Sequence, residues 1–407
     1  NKKKSPIGTL LSYDGTIMSK SKNIRFRPKG LINGLKGHFN TVDGILISKE
    51  ILDLEWNNRK GKYWQITPIL EYANSRETFM GRMEFTSQYN PERRAGFDIA
   101  VGRNTEDFSQ YNPMSNFANT ISSLILTDNY KKLYQQDFID LEHHFDIRNG
   151  LVLSTSIHYS DRTSLRNYSG YKMFNFSDEE YTENIPPNAE VFANPEMVGN
   201  NVSTTVAAKI SYTPKHYYYK TRTGEKRMLR SKYPTFDLGY RQGLPEVFNS
   251  TADFSLVSFA VHQSTPFRLI DQVRYHLEAG KFLGNESVNF ADYKSFNAQP
   301  FYLLSNQKSN AFKLLNPYIY NTKDYYFEGH FSLEDKHLLL KRLPLLNTTN
   351  LSEQIHINYL ITEQKENYYE FGYSLNNIFL LMNIGGYVNY VDNKYEGFEV
   401  RIGLNFN

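Results

Sequence analysis

The sequence predicts an all-β fold, a transmembrane antiparallel β-barrel of about 16 strands with long extracellular loops. Apolar and polar residues alternate with a period of two along most of the chain, and the clearest apolar face is Phe398, Val400, Ile402, Leu404 and Phe406. Most alternating segments run ten residues or more, which exceeds the five or six residues typical of soluble strands. No window holds 18 consecutive apolar residues, so the sequence predicts no membrane-spanning helix.

About fifteen segments follow this alternation, and their length is what a tilted strand needs to cross a bilayer. They lie near residues 43–57, 62–73, 77–87, 94–104, 133–147, 150–161, 203–215, 232–243, 252–265, 271–284, 323–335, 353–364, 367–376, 379–389 and 394–406. Lipid offers the backbone no hydrogen bonds, so such strands must close into a barrel. Because single-chain outer-membrane barrels have an even number of strands, we expect a sixteenth within residues 24–40. We therefore divide the chain into a periplasmic lead-in with the first strand, residues 1–40, and the barrel, residues 41–407.

The predicted connections differ in length between the two ends of the strands. Counted back from a periplasmic Phe406, the gaps near 105–132, 162–202 and 285–322 all fall outside, whereas those near 216–231 and 341–352 fall inside. Long loops outside and mostly short turns inside are the barrel pattern. We expect aromatic residues near the strand ends to form interfacial girdles, namely Tyr63, Trp64, Tyr72, Tyr89, Tyr159, Tyr240, Tyr387 and Tyr390.

The composition excludes several other classes of protein. The 407 residues include no Cys, which excludes a disulfide scaffold, thiolate metal sites and a cysteine nucleophile. The 46 Lys and Arg nearly balance the 43 Asp and Glu, so no nucleic-acid partner is expected. A soluble β-sandwich or propeller is the alternative, and the length of the strands counts against it. The chain opens at Asn1 without Met or an apolar segment, and we interpret it as part of a precursor whose signal peptide has been removed.

Three short motifs, taken in order, resemble one family. They are Phe39-Asn40-Thr41-Val42-Asp43-Gly44, Ser231-Lys232-Tyr233-Pro234, and Leu315-Asn316-Pro317-Tyr318 continuing through Tyr326-Phe327-Glu328-Gly329-His330-Phe331 to Arg342-Leu343-Pro344-Leu345-Leu346. The resemblance is to Bacteroidota outer-membrane proteins in which a carboxypeptidase-regulatory-like domain precedes a large domain of unknown function. It runs from about Ser5 to the C-terminus. It implies a location in the bacterial outer membrane and a small upstream domain that is absent here.

A second, architectural likeness is to the BamA-like assembly and translocation barrels. Those have 16 strands, a long external loop between strands 11 and 12, and a last strand ending in an aromatic residue. The predicted loop 285–322 occupies the same place in this chain. A Val-Arg-Gly-Phe type tip on that loop has no match here, so the likeness does not extend to a translocation mechanism.

Ionisable residues lie on the predicted inward face of the strands. They are Arg82, Glu84, Asp140, Glu142, His144, Asp146, Arg274, His276, Glu278, Glu328, His330, Glu334, His356, Glu399 and Arg401. Histidine and carboxylate side chains are ligands for divalent metals. A wet lumen lined by salt-linked charges explains the same pattern, and we predict a structural polar network with no metal or cofactor.

An enzyme would need a nucleophile and a base within hydrogen-bond reach. Ser154, Ser156 and His158 share a strand face, but neighbours two residues apart on a strand are about 7 Å apart. No Gly-x-Ser-x-Gly elbow occurs in the sequence. We therefore predict a non-enzymatic protein without catalytic residues.

Two functional hypotheses follow. The first is a subunit of an envelope complex for outer-membrane protein assembly, export or surface display, with outer-membrane lipid, lipopolysaccharide and other envelope proteins as partners. The alternative is a solute-conducting pore, since a 16-stranded barrel can hold an aqueous channel. The loop 285–322 discriminates between them, because its apolar residues favour a plug or a partner loop. These residues are Phe296, Phe301, Tyr302, Phe312, Leu314 and Leu315.

Overall fold

The computed structural model describes residues 16–19, 23–58, 60–111, 114–174, 180–266, 272–301, 310–336, 338–342, 349–363, 365–379 and 381–404. Within these residues the chain is almost entirely β-structure. The short helices are α1 (Asn116–Ile121), a π-helix (Ser122–Leu126), α2 (Ala189–Ala193), and 3-10 turns at Pro195–Val198, Val247–Asn249, Phe290–Asp292 and Leu340–Arg342. No helix in the described part of the chain is long and apolar enough to cross a membrane.

Twenty-one strands follow one another in the described residues. The first ten are β1 (Ile17–Ser19), β2 (Ile24–Pro28), β3 (Leu35–Asn40), β4 (Gly44–Glu50), β5 (Leu52–Asn57), β6 (Tyr63–Ala73), β7 (Thr78–Asn90), β8 (Ala95–Asp107), β9 (Leu133–Arg148) and β10 (Leu151–Ser164). The others are β11 (Asn201–Tyr212), β12 (Tyr218–Lys220), β13 (Lys226–Met228), β14 (Thr235–Gly243), β15 (Asp253–Pro266), β16 (Gln272–Ser287), β17 (Tyr325–Asp335), β18 (Ser352–Thr362), β19 (Lys365–Ile378), β20 (Met382–Val391) and β21 (Lys394–Leu404).

Nineteen of these strands form one antiparallel sheet, and β12 pairs with β13 in a separate hairpin. Strands β4 and β5 both pair with β6, and β3 and β2 pair in turn with β4 and β5. We therefore count β2 and β3 together as one row of the sheet, and β4 and β5 together as the next row. The three-residue β1 is not counted. The described sheet then has 16 rows. Residues 24–40, where the sequence predicted a further strand, contain β2 and β3. The predicted all-β antiparallel fold class is confirmed.

One face of the sheet is apolar and open to the surroundings. Nearly every row presents a large apolar side chain there, including Phe79, Phe97, Ile139, Ile157, Ile210, Leu238, Phe259, Leu277, Phe331, Ile357, Phe371 and Phe398. Phe79 is 78% exposed and Phe398 is 59% exposed. Because single exposed apolar residues are normal but a band crossing the whole sheet is not, this face is built to contact something apolar.

The other face encloses a chain segment that we call the interior segment, residues 288–301 and 310–322. Contacts of its described residues reach β10 through Arg162, β19 through Glu370 and β21 through Arg401. Phe301 also packs on Met114 and Ala118 in the β8–β9 loop, where Asn119 of α1 bonds to Phe39 of β3. The sheet therefore curls around this segment, although no ladder between β21 and the first row occurs among the described residues.

The three long connections, 108–132, 165–200 and 288–324, lie at the same end of the strands, as the sequence predicted. The shorter links 213–234 and 336–351 lie at the other end. The largest hydrophobic cluster lies between the interior segment, the loop around Val191 and the inward faces of β15 to β19. The core therefore lies inside the curled sheet and not between two stacked sheets.

Two expectations near the last strands differ from the structure. The strand predicted at 379–389 begins only at Met382, because Phe379, with a positive φ angle of 50°, lies in the turn that follows β19. Tyr387, predicted in a girdle, is 2% exposed on the inward face. Its ring lies over Gly372 of β19, where an added Cβ would be 2.2 Å from Tyr387 Cδ1.

Candidate functional site

The strand register places the predicted inward residues on one face of the sheet. Glu278 pairs with Glu328, His276 with His330, and Arg274 with Ser332, which in turn faces His356. On the other side, Asp140 pairs with His158 and Glu142 with Ser156. Alternation explains this common placement, since every second residue of a strand points to the same face. The structure divides these residues into two groups with different surroundings.

The first group is solvated and lies on β6 to β10. Arg82 bridges Glu71 and Glu84 at 2.7 and 2.9 Å, and Asp140 contacts His158. His144 lies 3.9 Å from Asp98, and both side chains are almost half exposed. Asp146 is different, because Arg94 and Lys226 enclose it at 2.7 and 2.6 Å at the end of the strands that carries the shorter turns.

The second group is buried and lies on β16 to β21. His330 and Glu328 are 2% and 3% exposed. His356 is buried and contacts Ser374 Oγ at 3.2 Å, and Arg274 reaches Glu334 at 3.1 Å. Arg401 is buried beside the half-exposed Glu399 at 2.7 Å. The interior segment covers the centre of this wall, whereas Arg274, His276 and Glu399 at its margins are partly exposed.

A buried ion pair fastens the start of the interior segment to β10. Arg162 makes a bidentate contact with Asp292, with Nη1–Oδ2 at 2.6 Å and Nη2–Oδ1 at 2.9 Å. Ser203 of β11 donates a further hydrogen bond to Asp292 at 3.1 Å. The Arg162 guanidinium holds the pKa of Asp292 below its usual value against the effect of burial. A bidentate charge-assisted pair is among the strongest polar contacts available to a side chain.

Lys294 fastens the same segment to β16 and β17. Its ammonium lies 2.7 Å from Glu278 Oε1 and 2.9 Å from Glu328 Oε1. The ring of Tyr326 is 4.6 Å from this ammonium, and the Tyr326 hydroxyl donates to Glu278 at 2.6 Å. Although burial opposes the charged form, these carboxylates raise the pKa of Lys294 well above its usual value. The lysine is therefore held as a cation between two strands.

Two further buried groups hold the middle of the segment by its backbone. Glu370 of β19 accepts hydrogen bonds from the backbone N–H groups of Lys313 and Leu314 at 2.9 and 2.8 Å. Arg401 of β21 donates to the carbonyl oxygens of Gln299 and Pro300 at 3.3 and 2.6 Å. These contacts position the chain without depending on its side chains.

The apolar residues predicted for this segment are buried where the structure describes them. Phe296, Phe312 and Leu315 are at most 1% exposed in the main hydrophobic cluster, and Phe301 is 2% exposed in a second cluster. Leu314 is half-buried. Tyr302 lies outside the described residues.

The other two long loops form hydrogen bonds with the interior segment. The hydroxyl of Tyr318 donates to Asp107 Oδ1 at 2.9 Å and accepts from the backbone N–H of Lys132 at 2.8 Å. Asn188 donates to the carbonyl oxygens of Tyr318 and Ile319 at 3.0 and 3.1 Å. Lys132 Nζ donates to Thr182 and Glu183, and burial lowers its pKa to about 8. The three loops thus form one packed unit.

Three cavities remain beside this packing. One of about 510 Å³ is lined by Glu142, His144, Lys209, Arg241 and Lys294 among others. A second, of about 400 Å³, is lined mostly by polar groups of β3 to β9, including Arg82 and Glu84. A third of about 400 Å³ is lined by Asp237, His262, Arg274, His276 and His330. Open space with polar walls therefore remains beside the interior segment in the described part of the chain.

Sequence reasoning missed the residues that fasten the interior segment. Asp292 and Lys294 are charged residues in an apolar loop. Arg162 and Glu370 lie at alternate positions of their strands that point inward, like the inward residues that were predicted. An isolated charge is costly to bury unless it is paired. A search for charged residues in the apolar loop would have identified these two as candidates for pairing with the inward face.

Comparison with solved structures finds outer-membrane barrels of low sequence identity. The structure of BamA from Haemophilus ducreyi lacking POTRA domains 1–3 aligns over 99% of this chain and 77% of that chain, with 8% identity and a TM-score of 0.44. Wzi, an outer-membrane protein involved in group 1 capsule assembly in Escherichia coli and described as a carbohydrate-binding β-barrel, aligns over 91% of this chain and 80% of that chain, with 9% identity and a TM-score of 0.38.

Comparison with curated proteins and with family models gives two results. No curated protein matches the chain. A family model matches residues 8–375, and the chain belongs to that family, which is described as a family of unknown function (DUF5686), C-terminal domain.

Proposed function

We propose that this protein is a barrel of the bacterial outer membrane. The support is the exposed apolar side chains that cross the sheet from Phe79 to Phe398, beside an opposite face of charged residues. Water would make such a band unfavourable by about 25 cal/mol for each Å² of apolar surface, whereas lipid would cover it. We further propose that residues 1–40 are a lead-in with the first strand, that residues 41–407 form the barrel, and that the long connections face outward.

Within that membrane the protein acts as a non-enzymatic subunit of an envelope complex for protein assembly, export or surface display. The observation that carries this proposal is the interior segment, which fills the enclosed face and is fastened by Asp292, Lys294 and Arg401. A diffusion pore needs a continuous aqueous path, and a segment fixed by buried ion pairs opposes one. A barrel obstructed by such a segment is better suited to holding partners than to conducting solutes.

A second feature supports a partner at the end of the strands that carries the shorter turns. The hairpin β12–β13 is docked there by Lys226, which reaches Asp146 at 2.6 Å. Its surface exposes Tyr217, Tyr219 and several basic residues, and aromatic and arginine side chains are enriched at protein interfaces. The exposed basic residues are Lys215, Lys220, Arg222, Arg227, Arg230 and Lys232. An acidic surface of another envelope protein fits this hairpin.

The remaining predictions belong to the same proposal. They are a source in Bacteroidota, an upstream carboxypeptidase-regulatory-like domain, a signal peptide removed from the precursor, and contact with lipopolysaccharide. The resemblance of motifs such as Phe39-Asn40-Thr41-Val42-Asp43-Gly44 supports the first two.

Affinity purification of the full-length protein from native outer membrane in mild detergent tests this function. We expect other envelope proteins to co-purify at a stoichiometric ratio. The double variant R222E/R227E should no longer co-purify with these proteins, because charge reversal at the rim of an interface removes its electrostatic complementarity to an acidic partner surface. The matched control is R166E, which reverses an exposed charge at the opposite end of the strands. Purification as a lone chain, with no partner in any variant, would contradict the proposal.

The alternative function is a solute-conducting pore. The observation that favours it is the cavity of about 510 Å³ with charged walls beside the interior segment. It requires the interior segment to leave its position, which means breaking the Arg162–Asp292 pair and the Lys294 contacts. Conductance measurements on the purified protein distinguish the two functions.

A further inference from the structure

Four inward side chains lie next to one another on two neighbouring strands. Strand register pairs His276 with His330 and Glu278 with Glu328, so the four form a square on β16 and β17. The ligand atoms of His276, Glu278 and Glu328 all lie within 4.8 Å of one another. His330 Nε2 lies 3.3 Å from Glu328 Oε2. His276, Glu278 and Glu328 therefore face a common space, and His330 lies at its edge beside Glu328.

The closest contacts of Lys294 are with one oxygen of each carboxylate. Its ammonium lies against Glu278 Oε1 and Glu328 Oε1. The second oxygens point elsewhere, with Glu278 Oε2 3.4 Å from His276 Nε2 and Glu328 Oε2 3.3 Å from His330 Nε2. In each carboxylate, one oxygen therefore contacts Lys294 and the other oxygen faces a histidine ring.

A hydrogen bond on the far side of His330 decides what Nε2 presents to Glu328. His330 Nδ1 lies 2.9 Å from Asn358 Oδ1. The amide orientation is defined because Asn358 Nδ2 donates to Glu370 Oε1 at 2.8 Å, so Oδ1 can only accept and Nδ1 must donate. A neutral His330 then directs the lone pair of Nε2 at the lone pairs of a carboxylate. Two acceptors facing each other in a buried site require a positive charge between them.

The separations indicate which positive charge fits. A proton shared between an imidazolium and a carboxylate gives an N–O distance of about 2.7–2.9 Å. A tetrahedral zinc ion with bonds of about 2.0–2.2 Å separates two of its ligand atoms by about 3.3 Å. The two His–Glu separations, 3.3 and 3.4 Å, are longer than the first geometry and compatible with the second. Metal-binding histidines are oriented in the same way, by a hydrogen bond between their other ring nitrogen and an oxygen acceptor.

Two cavities adjoin these residues. His276 and His330 line the cavity of about 400 Å³ that is also lined by Asp237 and His262. Glu278 lines the cavity of about 510 Å³.

We propose that His276, Glu278, Glu328 and His330 form a binding site for one divalent transition metal of the zinc type. Imidazole nitrogen and carboxylate oxygen together are suitable ligands for such ions. The sequence predicted a salt-linked network without a metal for these residues, and the proposal revises that interpretation at these four positions. Because Glu278 and Glu328 also hold Lys294, the ion lies beside the point where the interior segment is fastened. The proposal does not depend on the proposed function.

Metal titration of the intact, detergent-solubilised chain tests the site. The protein is stripped with a chelator, titrated with Zn²⁺ by calorimetry, and analysed for bound zinc. We expect one ion per chain, with affinity at least about tenfold weaker in H276Q and in E328Q. The matched control is H158Q, which removes a histidine that also pairs with a carboxylate, Asp140, on the opposite wall. Its zinc affinity should equal that of the unmodified chain.

Cobalt provides a measurement that does not depend on the variants folding. Co²⁺ bound to the unmodified chain should give the intense visible absorption of a four-coordinate ion, and Zn²⁺ should abolish it by displacement. Substoichiometric zinc, or equal affinity in H276Q and the unmodified chain, would overturn the proposal. A six-coordinate cobalt spectrum would overturn it as well.

Discussion

Two histidine–carboxylate pairs on the same face of the sheet have opposite surroundings. His330 and Glu328 on β17 have side chains only 2% and 4% exposed, whereas His144 and Asp98 on β9 and β8 are 44% and 45% exposed. Their strand environments are alike, since both pairs lie on the inward face. The difference is the interior segment, which covers β17 and leaves the ends of β8 and β9 open. Alternation therefore determines the face of a residue, and the loop determines whether water reaches it.

The largest expected effect comes from breaking the buried pair between β10 and the interior segment. Arg162→Ala leaves Asp292 buried without its main counter-charge, and such a loss costs about 3–5 kcal/mol of unfolding free energy. Arg103→Ala is the matched control, because Arg103 pairs with Asp137 in the same bidentate way while both side chains are 46% exposed. An exposed pair contributes about 0–1 kcal/mol. Denaturant unfolding of the two variants in micelles measures the difference, and equal destabilisation would contradict the proposed effect of burial.

A smaller effect is expected where the three long loops meet. Tyr318→Phe removes the hydroxyl that accepts from Lys132 and donates to Asp107. The buried backbone N–H of Lys132 then lacks a partner, at a cost of about 1–3 kcal/mol. Tyr217→Phe is the control, since Tyr217 is 70% exposed and should change stability by less than about 0.5 kcal/mol. Limited proteolysis of the loops would show whether Tyr318 holds them together; no difference between the two variants would argue against that role.

The third expected effect is a pH dependence of the same loop unit. Burial lowers the pKa of Lys132 to about 8, below its value in the unfolded chain. Between pH 8 and 10 the unfolded chain therefore binds more protons than the folded one, so this group adds stability as the pH rises, by at most about 1.4 kcal/mol per pH unit. Below pH 8 the cost of burying the charged lysine is fully present. Thermal unfolding across pH 7 to 10 measures this dependence. The stability of the unmodified chain should rise with pH more steeply than that of Lys132→Met. Equal slopes for the two proteins would contradict a lowered pKa of Lys132.

The strands were predictable because the exposed apolar face makes alternation nearly continuous. Residues 133–147 were predicted as a strand and form β9 at Leu133–Arg148, and the gap near 285–322 proved to be the long connection after β16. The start of the strand predicted at 379–389 was placed too early because Phe379 and Leu381 are apolar, and only the positive φ angles of Asn377 and Phe379 mark the turn there. Tyr387 was assigned to the wrong face because aromatic residues occur both at girdles and over inward glycines such as Gly372.

The candidate site was only partly predictable for a different reason. Strand parity identified His276, Glu278, Glu328 and His330 as inward residues, since parity needs only the strand's own sequence. The partners Lys294 and Asp292 come from a loop whose path depends on contacts with strands more than a hundred residues away, such as Arg162. Local patterns contain no information on that path. Solvent exclusion along β16 to β19 therefore could not be predicted from the sequence.

Ion conductance of the purified chain in planar lipid bilayers tests the central claim, that the interior segment closes the barrel, most directly. We expect no stable open-channel current from the unmodified protein and a persistent current from a variant lacking residues 296–315. Arg162→Ala should give intermittent openings, because one of the fastenings is lost while Lys294 and Arg401 remain. A large, steady current from the unmodified protein, unchanged by removal of the segment, would contradict the account and favour a solute-conducting pore.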